Sequence, residues 1–219
     1  MPKTTSGSKK LKTAIGVVVD ESGSMGSRAE ETRIAFNKYF DDIEKEDPTV
    51  VVTAANFSLL TADKDKVRYL CKNTPVSDMP YLDEENYSPN GSTPLLDAVG
   101  HVINTLSREK ADRYLVVILT DGFENASVEY SKSAITSLIQ QKEATDKWTF
   151  VYLGAGKEAW GGAVFLGIST PGTIVDYSGT PGTTSQTVNT ITASTRSYLA
   201  STKTSDPDFI DTSKKTVKS

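Results

Sequence analysis

Residues 13–25 read TAIGVVVDESGSM, a run of small and β-branched apolar residues that breaks into Asp20, Ser22 and Ser24, with Gly23 between the serines. An apolar run bounded by a turn signal reads as a strand buried on both faces, the pattern of a central strand in a parallel sheet. The polar end therefore falls just past the carboxyl end of that strand, where open α/β sheets place their ligands. Asp20, Ser22 and Ser24 recur at every second position and offer oxygen, with no nitrogen or sulfur donor among them. Hard oxygen donors select Mg²⁺, Mn²⁺ or Ca²⁺ over zinc or copper.

Downstream, Phe36, Tyr39, Phe40 and Ile43 recur at spacings of three and four, which predicts a helix over 28–46 with one buried stripe, stopped by Pro48. Thr49 to Phe57 reads as a second strand. Val67 to Cys71 reads as a short third strand after the charged turn Asp63 to Lys66, hence a hairpin and an antiparallel edge. A long polar loop, Asn73 to Asn90, leads into Gly91-Ser92-Thr93-Pro94, with Thr93 expected as N-cap and Pro94 at the first helical position. Leu95, Val99, Val102, Ile103 and Leu106 form the inward stripe of that helix, and His101 on it reads as a structural histidine.

The second strongly apolar strand is Arg113 to Thr120, and it ends in Asp121-Gly122-Phe123-Glu124-Asn125. Beyond it come a helix over 129–145 with Ala134, Leu138 and Ile139 inward, a strand over 148–153, a short helix over 158–166, a strand over 173–177 flanked by two Thr-Pro-Gly-Thr turns, and a Thr-rich helix over 185–201. The order fits an α/β class, a doubly wound, mostly parallel sheet with one antiparallel edge strand and helices on both faces. The domain is placed at 12–202, between a polar arm, 1–11, and a polar tail, 203–219.

The 219 residues suit one such domain, and a net charge of −4 argues against a dedicated nucleic-acid binder. The single Cys71 excludes an internal disulfide framework and a cysteine-based zinc site, and Cys71 itself reads as a small buried hydrophobe. No apolar run approaches the roughly 20 residues that span a bilayer. The basic N-terminus, MPKTTSGSKKLK, is followed by no signal-type apolar region, so a cytoplasmic protein or a component of a virion or other assembly is expected, with no membrane partner.

Asp20-Glu21-Ser22-Gly23-Ser24 resembles the DxSxS motif of von Willebrand factor A domains, the metal-ion-dependent adhesion site. The distant Thr93 and the Thr120-Asp121-Gly122 triplet match the other two parts of that family's pattern, in order, and the likeness runs from about Lys12 to Ser201. The resemblance is to the small stand-alone members found in bacterial and phage genomes. It implies that Ser22 and Ser24 give hydroxyl oxygens to Mg²⁺ (or Mn²⁺ or Ca²⁺), and that Thr93 joins directly or through water. Asp20 and Asp121 would act directly or through water and hold the serines. It further implies a non-enzymatic role: neutral hydroxyls leave the ion able to accept an Asp or Glu from a protein partner. Some members of the family work beside AAA+ ATPases, so such an ATPase, or the neighbours in an assembly, are the partners implied.

Two rival patterns in the sequence are incomplete. A phosphotransferase of the haloacid dehalogenase type needs an acid two residues after Asp20, where Ser22 stands. Gly154-Ala155-Gly156-Lys157-Glu158-Ala159 fits G-x-G-x-x-[G/A], with Asp176 as the ribose-binding acid, but it follows the fifth strand and precedes a short helix. Asp83, Glu84 and Glu85 read as a solvated loop and Glu124 and Asn125 as rim residues. The alternative function of a different class is a structural assembly protein, using the same fold with a vestigial or stabilising metal site.

Overall fold

The computed structural model describes residues 10–58, 67–155, 159–177 and 183–210. Its strands are β1 (Thr13–Asp20), β2 (Val51–Phe57), β3 (Val67–Pro75), β4 (Arg113–Thr120), β5 (Trp148–Gly154) and β6 (Ile174–Asp176). They form one sheet in the order β3-β2-β1-β4-β5-β6. All neighbours are parallel except β2 and β3, the antiparallel edge expected from the sequence. The strand order reverses between β1 and β4, so their carboxyl ends flank a topological switch point.

Every residue of β1 and β4 is buried, because helices cover both faces. On one face Ile15, Val17, Val19, Leu115, Val117 and Leu119 meet α1 (Ala29–Glu46) and α5 (Thr183–Ala200). On the other, Ala14, Val18, Val116 and Ile118 meet α2 (Leu95–Leu106), α3 (Lys132–Glu143) and α4 (Ala159–Leu166). Gly16 lets α2 lie close on β1: a Cβ there would stand 2.9 Å from a Val102 methyl and 3.2 Å from one of Leu106.

Several local expectations are revised. Thr93 is not the cap of α2; Pro94 takes that position, and the Leu96 amide donates to Glu124 Oε2 at 2.9 Å. α3 starts at Lys132, not at 129, because Asp97 on α2 accepts the amides of Val128, Glu129 and Tyr130 at 2.9 Å each and holds them in a bend outside the helix. Its inward residues are Ile135 and Ile139, with Leu138 partly buried against the same core, while Ala134 is exposed. Lys203–Ile210, polar in composition, packs on the body: Phe209 meets the Tyr198 ring edge-on, the Asp206 amide donates to Thr149 Oγ1 at 2.9 Å, and the Ile210 amide donates to the Gly172 carbonyl at 2.7 Å. The arm 1–9, the turn 63–66, the second Thr-Pro-Gly turn and the tail beyond 210 lie outside the described residues.

The amino ends of β1 and β4 hold a buried cation. Arg113, fully buried, donates from Nε to Thr13 Oγ1 at 2.8 Å, and from its two terminal nitrogens to the carbonyls of Tyr198 at 2.6 Å, Leu199 at 2.9 Å and Lys203 at 3.0 Å. The guanidinium thereby takes up the orphan carbonyls at the carboxyl end of α5, where the helix dipole favours positive charge.

Candidate metal centre

The carboxyl end of β1 turns sharply because Asp20 captures its own successor. The Ser22 amide donates to Asp20 Oδ1 at 2.7 Å. A 3₁₀ turn, Gly23–Arg28, follows, opened by Met25 N–H on the Ser22 carbonyl at 3.1 Å. Ser22 stands at the cap of that turn, yet its side chain makes no capping hydrogen bond. Its Oγ lies 3.1 Å from Ser24 Oγ instead. Simple cap duty therefore does not account for this serine.

β4 brings the second acid. Asp121 Oδ1 accepts Ser24 Oγ–H at 2.5 Å, and Asp121 Oδ2 accepts Arg28 Nη1–H at 3.1 Å. Thr120, part of the Thr-Asp-Gly triplet but given no role in it from the sequence, donates its hydroxyl to Asp20 Oδ2 at 2.5 Å and so ties the two strand ends together.

Thr93 arrives from the loop before α2, buried to 4% exposure. Its amide donates to Asn125 Oδ1 at 2.8 Å and its carbonyl accepts the Asn125 amide at 3.1 Å. Gly122 marks where the three segments converge. A Cβ on it would stand 3.2 Å from Thr93 Oγ1, 3.6 Å from Asp20 Oδ2 and 3.7 Å from Ser24 Oγ. A side chain at position 122 would thus fill a cradle of oxygen atoms, which is a direct physical reason for glycine here. Of the predicted site residues, Asp20, Ser24 and Thr93 surround this point, the Ser22 hydroxyl lies beside that of Ser24, and Asp121 accepts the Ser24 hydroxyl.

The electrostatics are those of a site short of positive charge. Burial pushes the Asp20 carboxyl up to about 6, against hydrogen bonds from Thr120 and Ser22 that pull it down, and the like charge of Asp121 adds to the rise. Tyr87 and Tyr177 are raised by burial and by the nearby acids. Two carboxylates and three hydroxyls are a hard, all-oxygen donor set, so the residues fit a small divalent cation. Among the described residues there is no cluster of three or more His, Cys, Asp or Glu side chains able to hold a metal, and it is the hydroxyls that complete the set.

A supporting layer escaped the sequence reading. Glu21 is buried and accepts Arg68 Nη2 at 2.7 Å and the Ser88 amide at 2.7 Å; burial raises its pKa against those bonds. Its carbonyl accepts the Asn90 amide at 2.8 Å, and Tyr87 Oη donates to the Asp20 carbonyl at 2.7 Å. The loop 86–90 is thus pinned to the end of β1. Glu124 and Asn125, expected at the rim, are the clamp on the Thr93 segment. These partners lie far apart in sequence and carry no periodic or motif signal.

The remaining candidates stay apart from the site. Asp83 Oδ1 accepts the amides of Glu85 and Asn86 at 2.9 Å in an exposed turn, and Glu84 is exposed beside Arg33. His101, half-buried, pairs with Glu129 at 2.9 Å. Gly154 closes tightly on Ala159, while Gly156 to Glu158 of the dinucleotide-like pattern lie outside the described residues.

No protein-family model and no curated protein sequence matches the chain. Solved structures do match in fold. The PilB minor pilin from Streptococcus sanguinis is 14% identical with a TM-score of 0.62, over 88% of this chain and 63% of the pilin. The SpRpn10 VWA domain is 13% identical with a TM-score of 0.55, over 82% of this chain and 94% of that domain. The pilus adhesin SpaC from Lactobacillus rhamnosus GG is 13% identical with a TM-score of 0.65 in its open conformation, over 86% of this chain and 30% of the adhesin. The chain thus spans less than two thirds of the pilin's length and under a third of the adhesin's. At such identities the likeness shows the fold, and that fold is of the von Willebrand factor A type.

Proposed function

We propose that the chain is a divalent-metal-dependent protein-binding domain. Ser22, Ser24 and Thr93 hold Mg²⁺, Mn²⁺ or Ca²⁺ with Asp20 and Asp121, and an Asp or Glu of a partner completes the shell. The observation that supports this most is the cradle at Gly122, where oxygens of two separate segments, Asp20 and Ser24 at the end of β1 and Thr93 before α2, face one point on a third at the mouth of the switch-point crevice. The ion would supply a positively charged contact for an acidic side chain. The chain's own residues fix the donors: Thr120 and the Ser22 amide orient Asp20, Asp121 orients Ser24, and Asn125 orients Thr93. The role is recognition without catalysis. Among the described residues no helix is long and apolar enough to cross a membrane. PilB and SpaC are named as pilus proteins and SpRpn10 as a VWA domain, and a partner of protein nature is carried over from them as part of this proposal.

The test is electron paramagnetic resonance of Mn²⁺ with water-proton relaxation. Wild type should remove the free-ion signal at one equivalent, and an Asp-containing peptide should lower the relaxivity of the bound ion as its carboxylate replaces water. Absence of Mn²⁺ uptake, or a bound ion blind to carboxylate, would sink the adhesion reading. In the second case an assembly role with a stabilising ion is the reading left.

A further inference from the structure

We propose that Arg28 is a resident cation of this site: it competes with the divalent ion for Asp121 and thereby sets the ion affinity, a step that rests on the metal-site reading above. Arg28 ends the same 3₁₀ turn that carries Ser24, so the cation and the hydroxyl ligand sit on one short segment. Its Nη1 donates to Asp121 Oδ2 at 3.1 Å, with the Asp121 side chain 6% and the Arg28 side chain 20% exposed. The guanidinium also lies over the Tyr177 ring, 5.6 Å from its centroid. It is therefore held between a carboxylate and an aromatic face, not loose in solvent.

The charge balance follows. Asp20 and Asp121 are two like charges at one strand end, and Asp121 is among the causes that raise Asp20. Among the described residues Arg28 is the basic side chain paired with Asp121, and none forms an ion pair with Asp20. A guanidinium cannot be deprotonated in a protein, so this charge is permanent. In the metal-free protein it offsets the acids. When a divalent ion binds, two cations share Asp121, and their repulsion in a half-buried site weakens the ion. Removing the charge must then act with opposite signs on two measurable quantities: the metal-free fold loses stability and the ion binds more tightly. A merely structural arginine would weaken both.

The experiment is Mn²⁺ titration by electron paramagnetic resonance, beside thermal unfolding in EDTA, on wild type, Arg28→Gln, Arg28→Leu and Arg28→Lys. Leucine keeps the packing over Tyr177 should glutamine not fold. The neutral variants should bind Mn²⁺ about tenfold more tightly (~1.4 kcal/mol) and melt lower in EDTA, while Arg28→Lys stays within about threefold of wild type. Binding by the neutral variants alone would point the same way. Unchanged or weaker Mn²⁺ affinity in a folded neutral variant, with wild type binding, overturns the role of Arg28 and leaves the metal site standing. No Mn²⁺ uptake by any of the four overturns both.

Discussion

At the amino ends of β1 and β4, Arg113 gives its N–H groups to one hydroxyl and several carbonyls, and Asp47 lies near enough to support its charge. At the carboxyl ends of the same strands, Asp20 and Asp121 crowd oxygen against oxygen, joined by hydroxyl protons from Thr120 and Ser24. Asp20 and Asp47 are both fully buried, yet they shift in opposite directions. Burial opposes ionisation of each. At Asp47 the hydrogen bonds from Thr49 and the charge of Lys10 outweigh it and hold the carboxyl low, whereas at Asp20 burial wins. Burial of charge alone does not mark a functional site; the sign of its neighbours does. At the amino pole donors meet acceptors; at the carboxyl pole, Arg28 on Asp121 apart, acceptors meet acceptors, which is why the proposal above places a cation there.

The comparison predicts a double dissociation, and the largest effect is at the closed pole. Arg113→Met strands several buried carbonyls and should cost about 3–5 kcal/mol in urea unfolding, with Mn²⁺ affinity of the folded protein unchanged. A loss below about 1 kcal/mol would show that the pole is solvated after all. Asp20→Asn should do the reverse: Mn²⁺ affinity falls at least about 100-fold while stability in EDTA at neutral pH is kept or raised, since a buried charge is removed. Retained Mn²⁺ binding in this variant would break the contrast.

Smaller effects sharpen it. Asn125→Ala frees the Thr93 segment and should weaken Mn²⁺ about fivefold, while melting temperature falls by a few degrees; an unchanged Mn²⁺ affinity would remove Thr93 from the ligand set. The pH dependences run in opposite senses. Asp20 has a raised folded pKa, so its unfavourable term in the metal-free protein starts to shrink as pH falls through about 6 and is gone only below the ordinary carboxylate pKa; the stability gap to Asp20→Asn should narrow steadily on acidification from pH 7 and close there. Asp47 has a depressed one, so the stability it adds is present above the ordinary carboxylate pKa and is lost on further acidification; the deficit of Asp47→Asn, ~1 kcal/mol at neutral pH, should disappear there. Parallel pH trends for the two variants would contradict the contrast.

The architecture was readable because β1 and β4 are near-continuous apolar runs, and the placement of Asp20, Ser22, Ser24 and Asp121 at the carboxyl ends of those strands was readable because they end or directly follow the runs. Thr93 was named through the family pattern, and the capping role expected of it from Pro94 is not taken up; Asn125 holds its backbone instead. What escaped has a common cause. Glu124 on Leu96, Asp97 on residues 128–130, Arg28 on Asp121 and Gly172 on Ile210 are polar contacts between distant segments. A single polar residue gives no periodic signature, and its partner is defined only once the sheet has set the strand ends side by side. The packing of Lys203–Ile210 was hidden in the same way, since two apolar residues in a polar stretch form no stripe.

The most direct test of the central claim is thermal unfolding of wild type and Asp20→Ala in EDTA, Mg²⁺, Mn²⁺ and Ca²⁺. A site at the carboxyl pole predicts a concentration-dependent rise in melting temperature with at least one ion, absent in the variant, because an ion that binds the folded state stabilises it by mass action. No shift with any ion, or a shift that survives in Asp20→Ala, would contradict a metal centre at these residues.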